Sequence, residues 1–156
     1  MRVASLLLAT VLAACSGGQD GPKEIVVGQY GSLSGPEATF GISTKNGIEL
    51  ATEEQNAKGG VGNVPVRMVV EDDQGKPDVT GLAVSKILSR DHPVALLGEV
   101  ASTLSLTAAP MAQNAGVPMI SPSSTNPKVT ETGDFIFRVC FTDPFQGSAE
   151  IGRAHV

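Results

Sequence analysis

The chain has 156 residues, the length of one ordinary domain, with 41% hydrophobic residues and a formal net charge of −5. It has no Trp, one Tyr and five Phe, so any core must be aliphatic, and its 18 Gly and 10 Pro imply many turns. The acidic balance and the lack of a basic run argue against nucleic acid as a partner, and nothing after residue 14 is long and apolar enough to span a bilayer.

Arg2 supplies a minimal positive start, and residues 3–14 (VASLLLATVLAA) form an apolar run too short to cross a membrane. That is the pattern of a secretory signal. The run ends in Leu12-Ala13-Ala14-Cys15, which resembles the lipobox of bacterial lipoproteins. In that motif the Cys is lipidated on sulfur and becomes the new N-terminus. Residues 1–14 are therefore expected to be a lipoprotein signal peptide, Cys15 the lipidation site, and residues 15–23 a flexible lipidated tether. Cys140 is the only other cysteine. It is expected to be a buried, inert thiol, because a single remaining Cys makes no internal disulfide even in an oxidising compartment.

Residues 24–30 (EIVVGQY) read as the first strand and residues 31–36 (GSLSGP) as a tight loop. The spacing of Ile42, Ile48, Ala51 and Ala57 predicts a helix over 39–58, stopped by Gly59-Gly60. Residues 64–71 (VPVRMVVE) are the second strand, and Asp72 and Asp73 at its end could bind a metal or cap a helix but read first as a solvated turn. Pro77 starts a second helix with Val79, Leu82, Ala83, Ile87 and Arg90 at helical spacing, and Asp78 and Lys86 outward. Residues 94–97 are a short buried strand. Residues 101–115 form a third helix with Leu104, Ala108, Met111 and Ala115 inward and a kink expected at Pro110. Residues 117–120 and 135–139 (FIFRV) are the fourth and fifth strands. The alternation predicts βαβ units: an α/β, Rossmann-like parallel sheet with helices on both faces and strand order 2-1-3-4-5. Residues 150–156 (EIGRAHV) break the pattern and match the conceptual translation of a common sequencing adapter, so they are set aside as a non-native tail.

Four loops should lie at the carboxyl ends of the strands, where open α/β sheets bind ligands. They are GSLSGP, DDQGKP, GEVAST and SPSSTN. Ser102 and Thr103 begin a helix, where free N–H groups and the helix dipole favour a carboxylate. Ser102 acting as a plain N-cap would explain that hydroxyl equally well. An N-cap does not explain the second hydroxyl cluster, Ser121, Ser123, Ser124 and Thr125, one crossover away. Together the loops suit a small zwitterion such as an α-amino acid. Ser34, Thr103 and Ser124 belong to the candidate ligand-facing set. Catalysis is not supported: His92 sits in a predicted turn, His155 in the set-aside tail, and no Ser/His/Asp set can be built from them. Nor do the two cysteines make a metal site, and no cofactor motif is present.

At these residues the chain resembles a known family. SLSGPEATFG (32–41), NGIELATEEQNAKGG (46–60), EDDQGKP (71–77), GVPMISPSSTNP (116–127) and FRVCFTDPFQG (137–147) are similar to the branched-chain amino-acid-binding proteins of ABC transporters. These are type I periplasmic binding proteins of the Leu/Ile/Val receptor family, and the resemblance covers residues 24–149. It implies two Rossmann-like lobes joined by a hinge and closing on a ligand. Residues 24–141 would be an incomplete lobe 1, and residues 142–149 the start of the hinge crossing, with Asp143 and Gln146 in the hinge. The resemblance further implies that Ser102 binds a ligand carboxylate. Ser123 and Thr125 would meet carboxylate and ammonium through backbone and hydroxyl. Phe40 would line the pocket at a position where Tyr is common.

Some members carry a disulfide between the loops after strands two and three. Gln74, Gly75 and Ala101 stand in that region here, so it is absent. The second lobe and the late elements that complete lobe 1 are also missing, which leaves half a site, an uncovered sheet edge, weak or absent ligand binding and marginal stability as expectations. The function implied is an extracytoplasmic solute-binding lipoprotein of an ABC importer, in the periplasm or at the cell surface. It would be monomeric when complete, be anchored to the membrane through Cys15, and deliver branched-chain or related amino acids to permease subunits. The alternative is a sensory ligand-binding domain for a small amino acid or amide.

Overall fold

A computed structural model describes residue 21 and residues 23–154. The expected signal peptide, Cys15, most of the tether, and His155 lie outside the described residues.

Residues rich in Val and Ile give two seven-residue strands, β1 (Ile25–Gly31) and β2 (Val66–Asp72), paired in parallel along their whole length. Helix α1 (Ala38–Ala57) joins them. Helix α2 (Pro77–Lys86) opens on a proline, whose missing N–H costs nothing in a first turn. A π-helical turn, Ile87–Asp91, continues α2 and ends at His92 in a left-handed conformation. The three-residue strand β3 (Ala95–Leu97) follows, then α3 (Ser102–Ala115), β4 (Met119–Ser121), a 3-10 turn (Pro127–Thr132), β5 (Ile136–Arg138) and α4 (Asp143–Ala154). The five parallel strands lie in the order β2-β1-β3-β4-β5, as the alternation predicts.

The two faces of the sheet differ. On one, α2, the π turn and α3 cover a core of Tyr30, Val84, Ile87, Leu96, Ala108, Ala109, Ala112, Met119, Val129 and Ile136. The small alanines of α3 let that helix sit close to the strands. Among the described residues the other face carries only α1, and it leaves an open groove of about 410 Å³ lined by Val27, Ile48, Ala51, Leu97 and Pro122 among others.

Several inward stripes differ from those the sequence spacing gives. In α2 the buried residues are Thr80, Ala83 and Val84, while Leu82 is 71% exposed. The α2–α3 packing rotates the helix about its axis relative to the purely apolar stripe. In α1 only Gly41 is buried, and Ile42 is exposed, because nothing packs on the outer side of this helix. In α3 the stripe is Leu104, Ser105, Ala108, Ala109 and Ala112; Ala115 is exposed. Helix α3 runs unbroken through Pro110, which is exposed. It closes at Gly116 (φ +65°), where the Val117 amide donates to the Ala112 carbonyl and the Gly116 amide to the Gln113 carbonyl. Helix α4 continues to Ala154, so residues 150–154 extend a helix rather than break the pattern. Cys140 is half-buried, not buried, with its thiol 3.4 Å from the Ser124 carbonyl oxygen.

Candidate functional site

The strand order puts β1 beside β3, although β2 lies between them in the chain. From β1 the chain crosses to β2 on one side; from β3 it crosses to β4 on the other. Loops leaving the carboxyl ends of β1 and β3 therefore diverge, and the crevice between them is where this class of sheet binds ligands. Residues 32–37, 73–76, 98–101 and 122–126 form its rim.

Beneath the rim is a buried polar knot centred on Glu99, which is only 1% exposed. Its Oε1 accepts from the Ser32 amide at 2.9 Å and lies 3.0 Å from the Ser32 hydroxyl; its Oε2 accepts from the Ala101 amide at 2.6 Å. The Glu99 carbonyl accepts from the hydroxyls of Ser105, Ser121 and Ser124 at 3.2, 2.7 and 3.1 Å. One residue thus ties the loops after β1, β3 and β4 together. Burial pushes the Glu99 carboxyl above the ordinary glutamate range; the amides of Ala101 and Ser32 pull the other way, and neighbouring Asp73 adds to the rise. Gly98 is required here. Its φ is +119°, and a Cβ would lie 2.0 Å from the Tyr30 carbonyl oxygen.

The pair Asp72 and Asp73, read from sequence as a solvated turn, is corrected. Asp73 is fully buried and accepts from the Gly75 amide at 2.9 Å and the Thr80 hydroxyl at 3.3 Å, with the Ser32 hydroxyl 3.0 Å from its Oδ1. Asp72 caps the neighbouring loop: its Oδ1 accepts from the amides of Leu33, Ser34 and Gln74. Burial raises the Asp72 carboxyl, but hydrogen bonds from the Ser34 hydroxyl and these amides outweigh it, and its pKa is lowered.

Ser102, Thr103, Ser123 and Thr125 converge at this rim. Ser102 is the first residue of α3, not its N-cap; Ala101 holds that position, and no side chain caps the helix. The Ser102 hydroxyl instead accepts from the Asn126 amide at 3.3 Å, which links the two hydroxyl-rich loops. Leu104 and Ser105 amides both turn back to the Ala101 carbonyl, whereas no hydrogen bond among the described residues uses the amides of Ser102 and Thr103. The hydroxyls of Thr103, Ser123 and Thr125 likewise engage nothing among the described residues.

Ser124 is closed to a ligand, and the Ser34 hydroxyl keeps only its acceptor capacity. Ser124 is fully buried, and its hydroxyl is held among the carbonyls of Glu99 and Val100 and the Ser105 hydroxyl. Ser34 is exposed, but its hydroxyl proton goes to Asp72 Oδ2 at 2.6 Å. Phe40 stands in the first turn of α1, 64% exposed at the rim's outer side. Asp143 and Gln146 lie in the first turn of α4, and the Asp143 amide donates to the Thr125 carbonyl at 3.1 Å.

Sequence reasoning missed three residues that build this site. Glu99 and Asp73 were passed over because an acidic residue in a loop ordinarily faces water. The third is Arg138 at the end of β5. Its guanidinium donates to the carbonyls of Ser124, Asn126 and Pro127 at 2.7, 2.8 and 2.9 Å, and to the Thr130 hydroxyl at 2.7 Å. It clamps the loop that carries Ser123 and Thr125. The only signal in the sequence was a lone Arg inside an otherwise apolar strand.

The described residues bring no nucleophile together with a base at this rim, and none of them form a group of three or more His, Cys, Asp or Glu able to hold a metal ion. Among them no helix is long and apolar enough to cross a membrane. What the rim offers is unpartnered amides at a helix start, free hydroxyls and backbone carbonyls. That set can hold a small polar molecule without reacting with it.

Comparison with known proteins identifies the family and the fold. The family model for periplasmic binding proteins matches residues 24–156. A Leu/Ile/Val-binding protein homolog from Brucella abortus is 35% identical over 125 residues, covering 80% of this chain and 33% of that protein. The crystal structure of a leucine-binding protein LivK from Thermotoga maritima superposes with a TM-score of 0.75 at 35% identity, covering 81% of this chain and 35% of the other. The substrate-binding protein LivJ of a branched-chain amino-acid transporter from Streptococcus pneumoniae, solved with isoleucine, gives a TM-score of 0.75 at 30% identity over 78% of this chain and 35% of its own. The chain spans about a third of the length of these relatives. It belongs to the periplasmic binding protein family, and its five-stranded sheet is part of a type I periplasmic binding fold.

Proposed function

We propose that this chain of the periplasmic binding protein family is the ligand-gripping first lobe of an extracytoplasmic receptor for branched-chain or related amino acids. The observation that carries the reading is the joined pair of loops at the ends of β3 and β4. The unpartnered Ser102 and Thr103 amides sit at the positive end of a 14-residue helix, and the Ser102 hydroxyl faces the Asn126 amide across the gap. A ligand carboxylate would dock there. The Ser123 and Thr125 hydroxyls and nearby carbonyls would receive the ammonium, and Phe40 would face the apolar side chain.

The bond from the Asp143 amide to the Thr125 carbonyl would couple the ligand loop to α4, where the chain leaves toward a second lobe. Lobe closure would bury the ligand and create the surface that meets an ABC permease. A lipidated Cys15 would hold the receptor on a membrane surface, in the periplasm or at the cell surface. The relatives' names and the isoleucine bound to LivJ support the ligand class.

The test is a nitrogen-15 amide spectrum of the chain titrated with leucine, and with leucinamide as a control lacking the carboxylate. Leucine should shift the amides of Ser102, Thr103 and Thr125, and leucinamide should shift them far less. Leucine-induced shifts that fall elsewhere while the amides of Ser102, Thr103 and Thr125 stay still, or equal shifts with leucinamide, would overturn the reading. Palmitate labelling in a bacterial host, compared with Cys15→Ser, tests the anchor.

A further inference from the structure

Gln29, near the end of β1, is fully buried, and neither its side-chain nitrogen nor its side-chain oxygen meets a hydrogen-bond partner among the described residues. Buried polar groups in native proteins are satisfied by other protein groups or by ordered water. Side chains alternate along a strand, so the faces of β1 can be assigned. Gly28 and Tyr30 face the core under α2 and α3: a Cβ on Gly28 would lie 2.5 Å from Ile87 Cγ2, and Tyr30 belongs to that core. Val27, Gln29 and Gly31 therefore face the α1 side, where Val27 lines the open groove. In register Gln29 stands beside Leu97 of β3, just ahead of Glu99.

Gly31 leaves space at this spot. Outside its own chain neighbours, a Cβ there would have only two atoms within 4 Å: Glu99 Oε1 at 3.6 Å and Gln29 Nε2 at 3.7 Å. One is an acceptor and the other a donor, and no direct hydrogen bond joins them. Both distances are about 0.5 Å beyond the usual N–H···O range, and a non-bonded oxygen, free of the covalent bond that fixes a Cβ, can settle between the two. Gln29, Gly31, Ser32 and Glu99 are all buried, so bulk solvent does not reach the spot.

We propose that the space above Gly31 is a binding site for a single buried water, which accepts from the Gln29 side-chain N–H and donates to Glu99 Oε1. The carboxyl has room for it. An ionised carboxylate offers about four acceptor positions. The Ser32 amide, the Ser32 hydroxyl and the Ala101 amide take three of them at most. The Ser32 hydroxyl also has Asp73 Oδ1 as an equal alternative at 3.0 Å, which leaves a position open on Oε1 itself. The donor nitrogen facing the space suits the oxygen of water and repels a cation. The Gln29 oxygen, on the other arm of the fork, stays outside this bridge. Through it β1 gains a second tie to Glu99, whose Oε2 accepts from the Ala101 amide just ahead of α3. The site lies below the ligand rim and uses none of the groups that would touch an amino acid.

The experiment is a set of water-to-amide NOE and ROE spectra of the nitrogen-15-labelled chain, for the wild type and Gly31→Ala. In the wild type the Gln29 side-chain amide protons should show cross-peaks to a long-lived water. Gly31 is not among the positive-φ glycines, and an added methyl would meet the two polar atoms only at ordinary contact distance. Gly31→Ala should therefore keep the strand, displace the water and lose the cross-peaks. Exchange relayed through the Ser32 hydroxyl would persist in that variant, because the hydroxyl is still there. Gln29→Leu removes the amide at similar volume, and oxygen-17 relaxation dispersion should count fewer long-lived waters in it than in the wild type. A wild-type spectrum without the Gln29–water cross-peaks overturns the inference. So do cross-peaks that survive in Gly31→Ala, an unchanged water count in Gln29→Leu, or a scalar coupling that joins the Gln29 amide directly to the Glu99 carboxyl. None of these readouts involves leucine, so the receptor reading stands or falls separately.

Discussion

Replacing Arg138 by Met should destabilise the chain by about 4 kcal/mol. The Met side chain keeps most of the aliphatic stem, so the change isolates the guanidinium. That group donates four hydrogen bonds, to three carbonyls and one hydroxyl, all between residues 124 and 130. A charge-assisted bond is worth roughly 1.5–3 kcal/mol when buried. Arg138 is only half-buried, so water will recover part of each loss, and about 1 kcal/mol per bond is the reasonable scale. Arg138→Lys should lose about half as much, because an ammonium is a point donor that cannot span acceptors set for a planar fork. Against a typical domain stability of roughly 5–15 kcal/mol this is a large share. Urea unfolding followed by circular dichroism and by fluorescence of Tyr30, the only Tyr in a chain without Trp, measures it. Hydrogen exchange at Lys128 and Val129 reports the loop directly, since their amides bond to Asn126. If Arg138→Met unfolds within ~0.5 kcal/mol of the wild type, or if Lys and Met behave alike, the clamp is not what holds this loop.

Tyr30 and Asp72 give opposite pH signatures. Tyr30 is fully buried with its hydroxyl 3.1 Å from Met119 Sδ, and burial pushes its phenol well above the usual range. Its contribution to stability is full below the unfolded tyrosine pKa and is lost as pH rises beyond it. Phenolate absorbance should therefore appear together with the loss of circular dichroism; phenolate formed while the fold persists would refute this. Asp72, with its lowered pKa, contributes above the ordinary aspartate range and loses that contribution as pH falls through its folded value. Asp72→Asn should flatten the acid limb of the stability curve, and an acid limb identical to wild type would show that the cap adds nothing.

Much of the fold was legible from local patterns. The β-branched runs, Pro77, Gly59-Gly60 and Gly116 mark strand and helix limits through backbone chemistry that needs no partner, and the alternation of strands and helices implies parallel pairing. The inward stripes were less legible. Leu82 looks like a core residue from its spacing yet faces solvent, because the angle at which α2 packs on α3 decides which stripe is covered. The tail offered a helix that composition did not suggest: Phe145, Ala149 and Arg153 of α4 line one shallow pocket together with Phe141, which precedes the helix.

For the site, the sequence by itself determined the inventory: two hydroxyl-rich loops, no histidine near them, and a helix beginning at Ser102. It also determined the family, through motifs spread along residues 24–149. Only the tertiary structure decided which hydroxyls are available. Ser123 and Ser124 are neighbours of the same chemical kind, but one lies at the rim and the other is sealed against the Glu99 carbonyl. Glu99, Asp73 and Ser32 are separated by 41 and 67 positions and share hydrogen bonds only because β1 lies between β2 and β3. Local sequence records which groups a loop carries. Whether a group meets water or another buried acid is set by strand order, and strand order is a property of the whole sheet.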